Sequence, residues 1–181
     1  DINISITNVP EWGISKVADI GSKLAANEFS SEIVTINGTA FFASGDSQHG
    51  FELWKSDGTA VGTVMVKDIN PGSYSSSPTY LTNVNGTLYF QAYDGVNGAE
   101  LWKSDGTAGG TVMVKGVNPG SNSSSPTNLT NVNGTLYFAE DDGIHGTVLW
   151  KSDGTETGTV MVKDINSGSV YSILSYLTNV N

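Results

Sequence analysis

Apolar and polar positions along this chain fall into short runs separated by glycine-rich turns. Tyr80-Leu81-Thr82-Asn83-Val84 is a brief β-type run, Asn85-Gly86 is the dipeptide that most favours a two-residue hairpin, and Thr87-Leu88-Tyr89-Phe90-Gln91-Ala92-Tyr93 returns antiparallel. A loop at Asp94-Gly95-Val96-Asn97-Gly98 leads to a third strand, Glu100-Leu101-Trp102-Lys103. Ser104-Asp105-Gly106-Thr107, with Gly109 and Gly110, then turns into a fourth strand at Thr111-Val112-Met113-Val114-Lys115. Leu88-Tyr89-Phe90 and Val112-Met113-Val114 are apolar at consecutive positions, so both faces of these strands are expected to be covered. No stretch sustains a helical period, and helix is expected to be scarce.

The same pattern returns with a fixed step. Trp54, Trp102 and Trp150 are 48 residues apart, each inside the octapeptide Glu-Leu-Trp-Lys-Ser-Asp-Gly-Thr, whose first residue becomes Val148 in the third copy. Four short antiparallel strands per 48 residues predict an all-β fold, a segment of a β-propeller. The expected blades span 33–69, 70–117 and 118–165, with 166–181 starting a fourth. Leu177 to Asn181 repeats Leu81 to Asn85, so the fourth unit would be completed by a longer chain or by another copy. Residues 1–32 are irregular and expected to cap or close the array: Ile2 to Val9 alternates like a half-buried strand, and Ile14 to Ile20 resembles a worn closing strand. A β-trefoil is the alternative, since it also has three four-stranded units, although the partial fourth unit argues against it; a solenoid would not need a hairpin in every unit.

With Asn-Gly-Thr-Leu-Tyr-Phe upstream of the octapeptide and Gly-Thr-Val-Met-Val-Lys-Asp-Ile downstream, residues 33–181 resemble the bacterial ELWxxDGT repeat family. That resemblance implies propeller-like domains of large secreted or surface-attached bacterial proteins, and it brings no catalytic residues. Val148 departs from the pattern, so a role requiring all three glutamates is not expected.

Charge narrows the partners. The formal net charge is -10, and the eight basic residues are all lysine: Lys16, Lys23, Lys55, Lys67, Lys103, Lys115, Lys151 and Lys163. An acidic, arginine-free surface suits neither nucleic acid nor anionic lipid, no membrane insertion is expected of a chain without a long apolar run, and the bidentate clamp that a sialidase needs for its substrate is missing. Cysteine is absent, which excludes disulfides and thiolate chemistry. There is no apolar run of membrane-helix length, so any targeting segment is expected outside this stretch. Abundant Gly, Ser, Thr and Asn fit an extracellular or cell-surface location.

Candidate chemistry is sparse. The Ser-Asp-Gly-Thr turn resembles the Asp-box of sialidase-type blades and reads as a folding device, with Gly at positive φ. The Trp and Met series read as inter-blade packing. Asn-Gly-Thr at Asn37, Asn85 and Asn133, like Asn3, Asn122 and Asn128, matches the glycosylation pattern, but the first three are accounted for by the hairpin. The loop between second and third strands is more informative: Asp46 and His49, Asp94 and Asn97, and Asp142 and His145 stand in register. With Tyr74 and Tyr93 nearby, these residues form the candidate ligand set for a glycan or a surface protein. No catalytic set and no metal ligands are assigned, because the loops lack EF-hand spacing; Ca2+ is the alternative cofactor. The expectation is a non-catalytic recognition or adhesion module, with a structural spacer or assembly unit, or a Ca2+-dependent propeller domain, as alternatives.

Overall fold

The structure is a computed structural model describing residues 32–118 and 120–164, together with 174, 177 and 178. The runs at Ile2 to Val9 and Ile14 to Ile20 lie outside the described residues, as does most of the fourth unit's start.

Twelve strands form, and no helix occurs among the described residues. They are β1 (Ile33–Ile36), β2 (Thr39–Asp46), β3 (Gly50–Ser56) and β4 (Val64–Lys67); β5 (Thr79–Val84), β6 (Thr87–Tyr93), β7 (Ala99–Ser104) and β8 (Val112–Lys115); and β9 (Thr127–Val132), β10 (Thr135–Asp141), β11 (Thr147–Ser152) and β12 (Val160–Lys163). Each set of four is a separate antiparallel sheet in sequence order, so the repeat unit is also the sheet. β5 lies against both β1 and β9, which brings the first strands of successive sheets together.

The first turn of each unit follows from its dipeptide. In β5–β6, Val84 pairs with Thr87 across Asn85 and Gly86, whose φ values are 52° and 87°. Two successive positive φ angles match the right-handed twist of the flanking strands, and Asn-Gly adopts them at least cost.

The core lies between sheets. Ile36, Phe41, Leu53, Val66 and Ile69 of the first unit pack against Leu81, Leu88, Phe90, Ala92 and Trp102 of the second. At the next joint, Val84, Tyr89, Leu101 and Val114 meet Leu129, Leu136, Phe138, Val148 and Trp150. Leu53 and Leu101 therefore face the following sheet, and Trp102 and Trp150 the preceding one. Trp102 and Trp150 are buried, and Met113 and Met161 support them. Trp54 is only half-buried, because no sheet precedes it among the described residues.

The second and fourth strands behave differently. Leu88, Tyr89 and Phe90 are all buried, as expected for a strand covered on both faces. Val112, by contrast, is 37% exposed and only Val114 of β8 is buried, so the expectation of full cover fails there. β8 is the outermost strand of its sheet, where the neighbouring sheet covers less of it.

Lysines bolt one sheet to the next. Lys55 Nζ donates to the Gly106 carbonyl at 2.8 Å, and Lys103 Nζ to the Gly154 carbonyl at 2.8 Å. Lys67 Nζ reaches the Thr111 carbonyl at 2.8 Å and lies 5.7 Å from the Trp102 ring centroid; Lys115 does the same to Thr159 and Trp150. The carbonyl that receives the first lysine belongs to the Ser-Asp-Gly-Thr turn. Asp105 Oδ1 accepts from both the N–H and the hydroxyl of Thr107, and the Thr107 hydroxyl accepts from Gly110 N at 2.9 Å. A Cβ on Gly110 would strike the Asp105 carboxylate, which is why that position is glycine.

Candidate functional site: the loop rim

The β2–β3 loop and the connection between units meet at one rim of the stack. Phe51 N donates to Ser75 Oγ at 2.9 Å and Ser76 N to the Phe51 carbonyl at 3.0 Å, while Tyr93 N donates to the Ser76 carbonyl at 2.9 Å. Ala99 with Ser123, and Asp141 with Ser124, repeat the stitching at the second joint. The connection thus ties the start of β3 in one unit to the end of β6 in the next. It passes so close to Gly50 that a Cβ there would lie 2.5 Å from the Tyr74 carbonyl oxygen, and φ at Gly50 is +65°.

The sequence-predicted Asp and His/Asn residues fall on this rim, where they close their own loops. Asp46 Oδ1 accepts from the N–H groups of Gln48 and His49 at 2.8 and 2.7 Å, and His49 Nδ1 lies 3.0 Å from both carboxylate oxygens. Asp94 accepts from Val96 N, Asn97 N and Asn97 Nδ2, the last at 2.7 Å. Asp142 accepts from Ile144 N and His145 N, with His145 Nδ1 at 2.7 Å. Partial burial pushes each of these Asp carboxyls upward, but the hydrogen bonds outweigh it and leave all three lowered. The hydrogen bond that each imidazole donates to its Asp raises His49 and His145 in turn, so both stay protonated to a higher pH than a free imidazole. Asp and His form the same self-contained turn in the first and third units, and Asn97 substitutes its amide in the second. Among the described residues no three His, Asp or Glu side chains converge as a metal-binding group.

Of the two described joints, only the first carries exposed tyrosines on its rim. Tyr74, 71% exposed, lies on the connection beside Gly50, and Tyr93, 41% exposed, ends the strand to which that connection is stitched. At the second joint, 48 residues on, Asn122 and Asp141 take their places. The tips Val96 and Ile144 are also exposed. The eight candidate residues therefore do not form one site repeated in every unit. Tyr74, Tyr93 and the Asp46–His49 turn share a joint; Asp94 and Asn97, and Asp142 and His145, belong to the following loops.

Beneath the rim lies a layer of buried glutamates that sequence reasoning did not single out. Glu52 accepts from Ile69 N, Asn70 N, Ser76 N and the Ser76 hydroxyl, the last at 2.5 Å, and so holds the first connection down. Glu100 holds Ser124 in the same way. Burial raises both carboxyls, and the hydrogen bonds partly offset it. The third octapeptide has Val148 there, yet Glu140 stands opposite Val148 on β10 and supplies a buried carboxyl from the neighbouring strand. An ionisable residue repeated in register directly before the core Leu-Trp pair was the available signal.

Comparison of the chain with protein-family models, with curated proteins and with solved structures finds no match.

Proposed function

We propose that this chain is a run of β-propeller blades serving as a non-catalytic recognition module of a secreted or surface bacterial protein. Its binding surface is the tyrosine-bearing joint between the first two units, with glycan as the ligand class. Three separate four-stranded meanders, stacked face to face with their first strands adjacent, support propeller blades over a trefoil. The resemblance to the ELWxxDGT repeats supports the secreted or surface setting.

The observation that carries the functional reading is the contrast between the two joints. Rim carboxylates are consumed by their own turns, which leaves little polar chemistry free for catalysis, whereas Tyr74 and Tyr93 offer rigid, amphipathic faces to solvent. Such faces stack on the C–H surface of a pyranose while the hydroxyls and His49 reach its polar edge. A glycan array followed by calorimetry on the intact chain tests this. Saturable binding of an oligosaccharide is expected; binding of a protein partner with no response to any glycan would remove the ligand class.

A second reading, an assembly unit of an extracellular layer, is favoured by one further observation. Lys151 and Lys163 are exposed on the third sheet, at the positions where Lys103 and Lys115 hold the following sheet. The Thr130 hydroxyl already donates to the Leu177 carbonyl at 3.2 Å, as Thr82 does to Leu129 at 3.1 Å. This face is thus suited to another unit of the same kind, and light scattering of the chain distinguishes the outcomes: growth with concentration favours assembly, a constant monomer mass opposes it.

A further inference from the structure

Ser124 sits between two carboxyl groups. Its hydroxyl oxygen is 2.5 Å from Glu100 Oε2 and 2.7 Å from Glu140 Oε1, and all three residues are sealed from solvent. Glu100 also accepts from Ser124 N at 3.1 Å, while Glu140 Oε2 has no partner. A serine hydroxyl has one hydrogen to donate. It can satisfy one carboxylate, and a second carboxyl can approach the same oxygen closely only by carrying a proton and donating it. The arrangement that satisfies the geometry has Glu140 donating its O–H to Ser124 Oγ, and Ser124 donating to Glu100.

The first joint lacks this pair. Ser76 donates to Glu52 at 2.5 Å, but Ala92 stands where Glu140 stands in the next unit. Apart from the rim differences Tyr74/Asn122 and Tyr93/Asp141, the connections are stitched alike at the two joints, so the molecule contains its own control.

We propose that Glu100, Ser124 and Glu140 form a proton-dependent latch on the connection between the second and third units. With one proton held in the triad the connection is closed; without it, two buried carboxylates face a single hydroxyl and the connection is released. Burial first, and then the charge of Glu100, push Glu140 up to about 8, against the Ser124 hydrogen bond and Lys115, which pull it down. Asp142 on the adjacent loop pushes Glu140 upward, and Asp94 does the same to Glu100. Lys115 is itself engaged with the Thr159 carbonyl. The proton belongs to the pair rather than to either residue. Because the folded value lies above the ordinary carboxyl range, the latch contributes fully below that range. Its contribution declines as pH rises and is lost above about 8.

Amide hydrogen exchange on the intact chain, corrected for intrinsic base catalysis, reads the latch directly. Ser125 N donates to the Ala99 carbonyl and Asp141 N to the Ser124 carbonyl; Ser77 N to Phe51 and Tyr93 N to Ser76 are their counterparts at the first joint. Between pH 6 and 9, protection at Ser125 and Asp141 is expected to fall at least about tenfold further than at Ser77 and Tyr93. Glu140→Ala, which reproduces the Ala92 arrangement, is expected to erase that difference. Carbon-13 titration of the wild-type carboxyls decides independently of any variant: one group of the pair should titrate far above the ordinary range. Equal pH response at the two joints, or both carboxyls titrating as free glutamates do, would overturn the latch.

Discussion

Glu52 is a fully buried carboxyl that depends on its partners. A carboxyl removed from water is costly unless its lone pairs are satisfied, and four donors converge on this one. Glu52→Gln turns one acceptor into a donor facing those N–H groups, so a loss of roughly 2–4 kcal/mol is expected in denaturant unfolding. A loss below about 1 kcal/mol would mean the connection is held by other contacts. Tyr80 offers the opposite case. Its φ is 57°, a left-handed conformation that bulky side chains rarely adopt, and the same position in the next unit is Asn128 at 54°. Tyr80→Asn is expected to raise the melting temperature, by an amount equivalent to at most about 1 kcal/mol. At this scale the sequence was only partly legible. The Asp-Gly turn could be read from composition, because its hydrogen bonds are local. The partners of Glu52 could not, because they lie 17 to 24 residues downstream.

Strands and hairpins were the most legible elements, since their signals are contained in a few consecutive residues. The strand expected over Thr87 to Tyr93 forms as β6 over the same residues, and the Asn-Gly hairpin beside it adopts the backbone that the dipeptide favours. The cover of β8 was harder to read. Val112-Met113-Val114 looks like a buried run, but its position at the edge of the sheet, which no local pattern encodes, leaves Val112 at the surface. The inter-sheet role of the tryptophans was inferred from their repetition. It leads to a graded expectation: Trp102→Ala removes a side chain buried against the preceding sheet and should cost about 3–5 kcal/mol. Trp54→Ala, at a half-buried position, should cost clearly less in the same unfolding experiment. Equal losses would indicate that the two rings are equally covered in solution.

Across the whole molecule the repeats divide their labour by position. The octapeptide is nearly all joint: Leu and Trp face opposite neighbours, Lys crosses to the next turn, and Asp-Gly-Thr builds the turn that receives it. Faithful repetition therefore marks what every joint needs, whereas variation marks what differs between joints. The rim varies most, with Tyr74 against Asn122 and Tyr93 against Asp141. The loop register drew attention to Asp46, Asp94 and Asp142, and they do lie at the rim, but the hydrogen bonds that close each loop were invisible until the backbone was in place. The proposed recognition at the tyrosine joint separates from fold stability in one comparison. Calorimetry of an array-selected oligosaccharide against wild type, Tyr74→Ala and Asn122→Ala should lose its binding heat with Tyr74→Ala, about tenfold or more in affinity, and keep it with Asn122→Ala. Equal binding by all three proteins would contradict a glycan surface at the first joint.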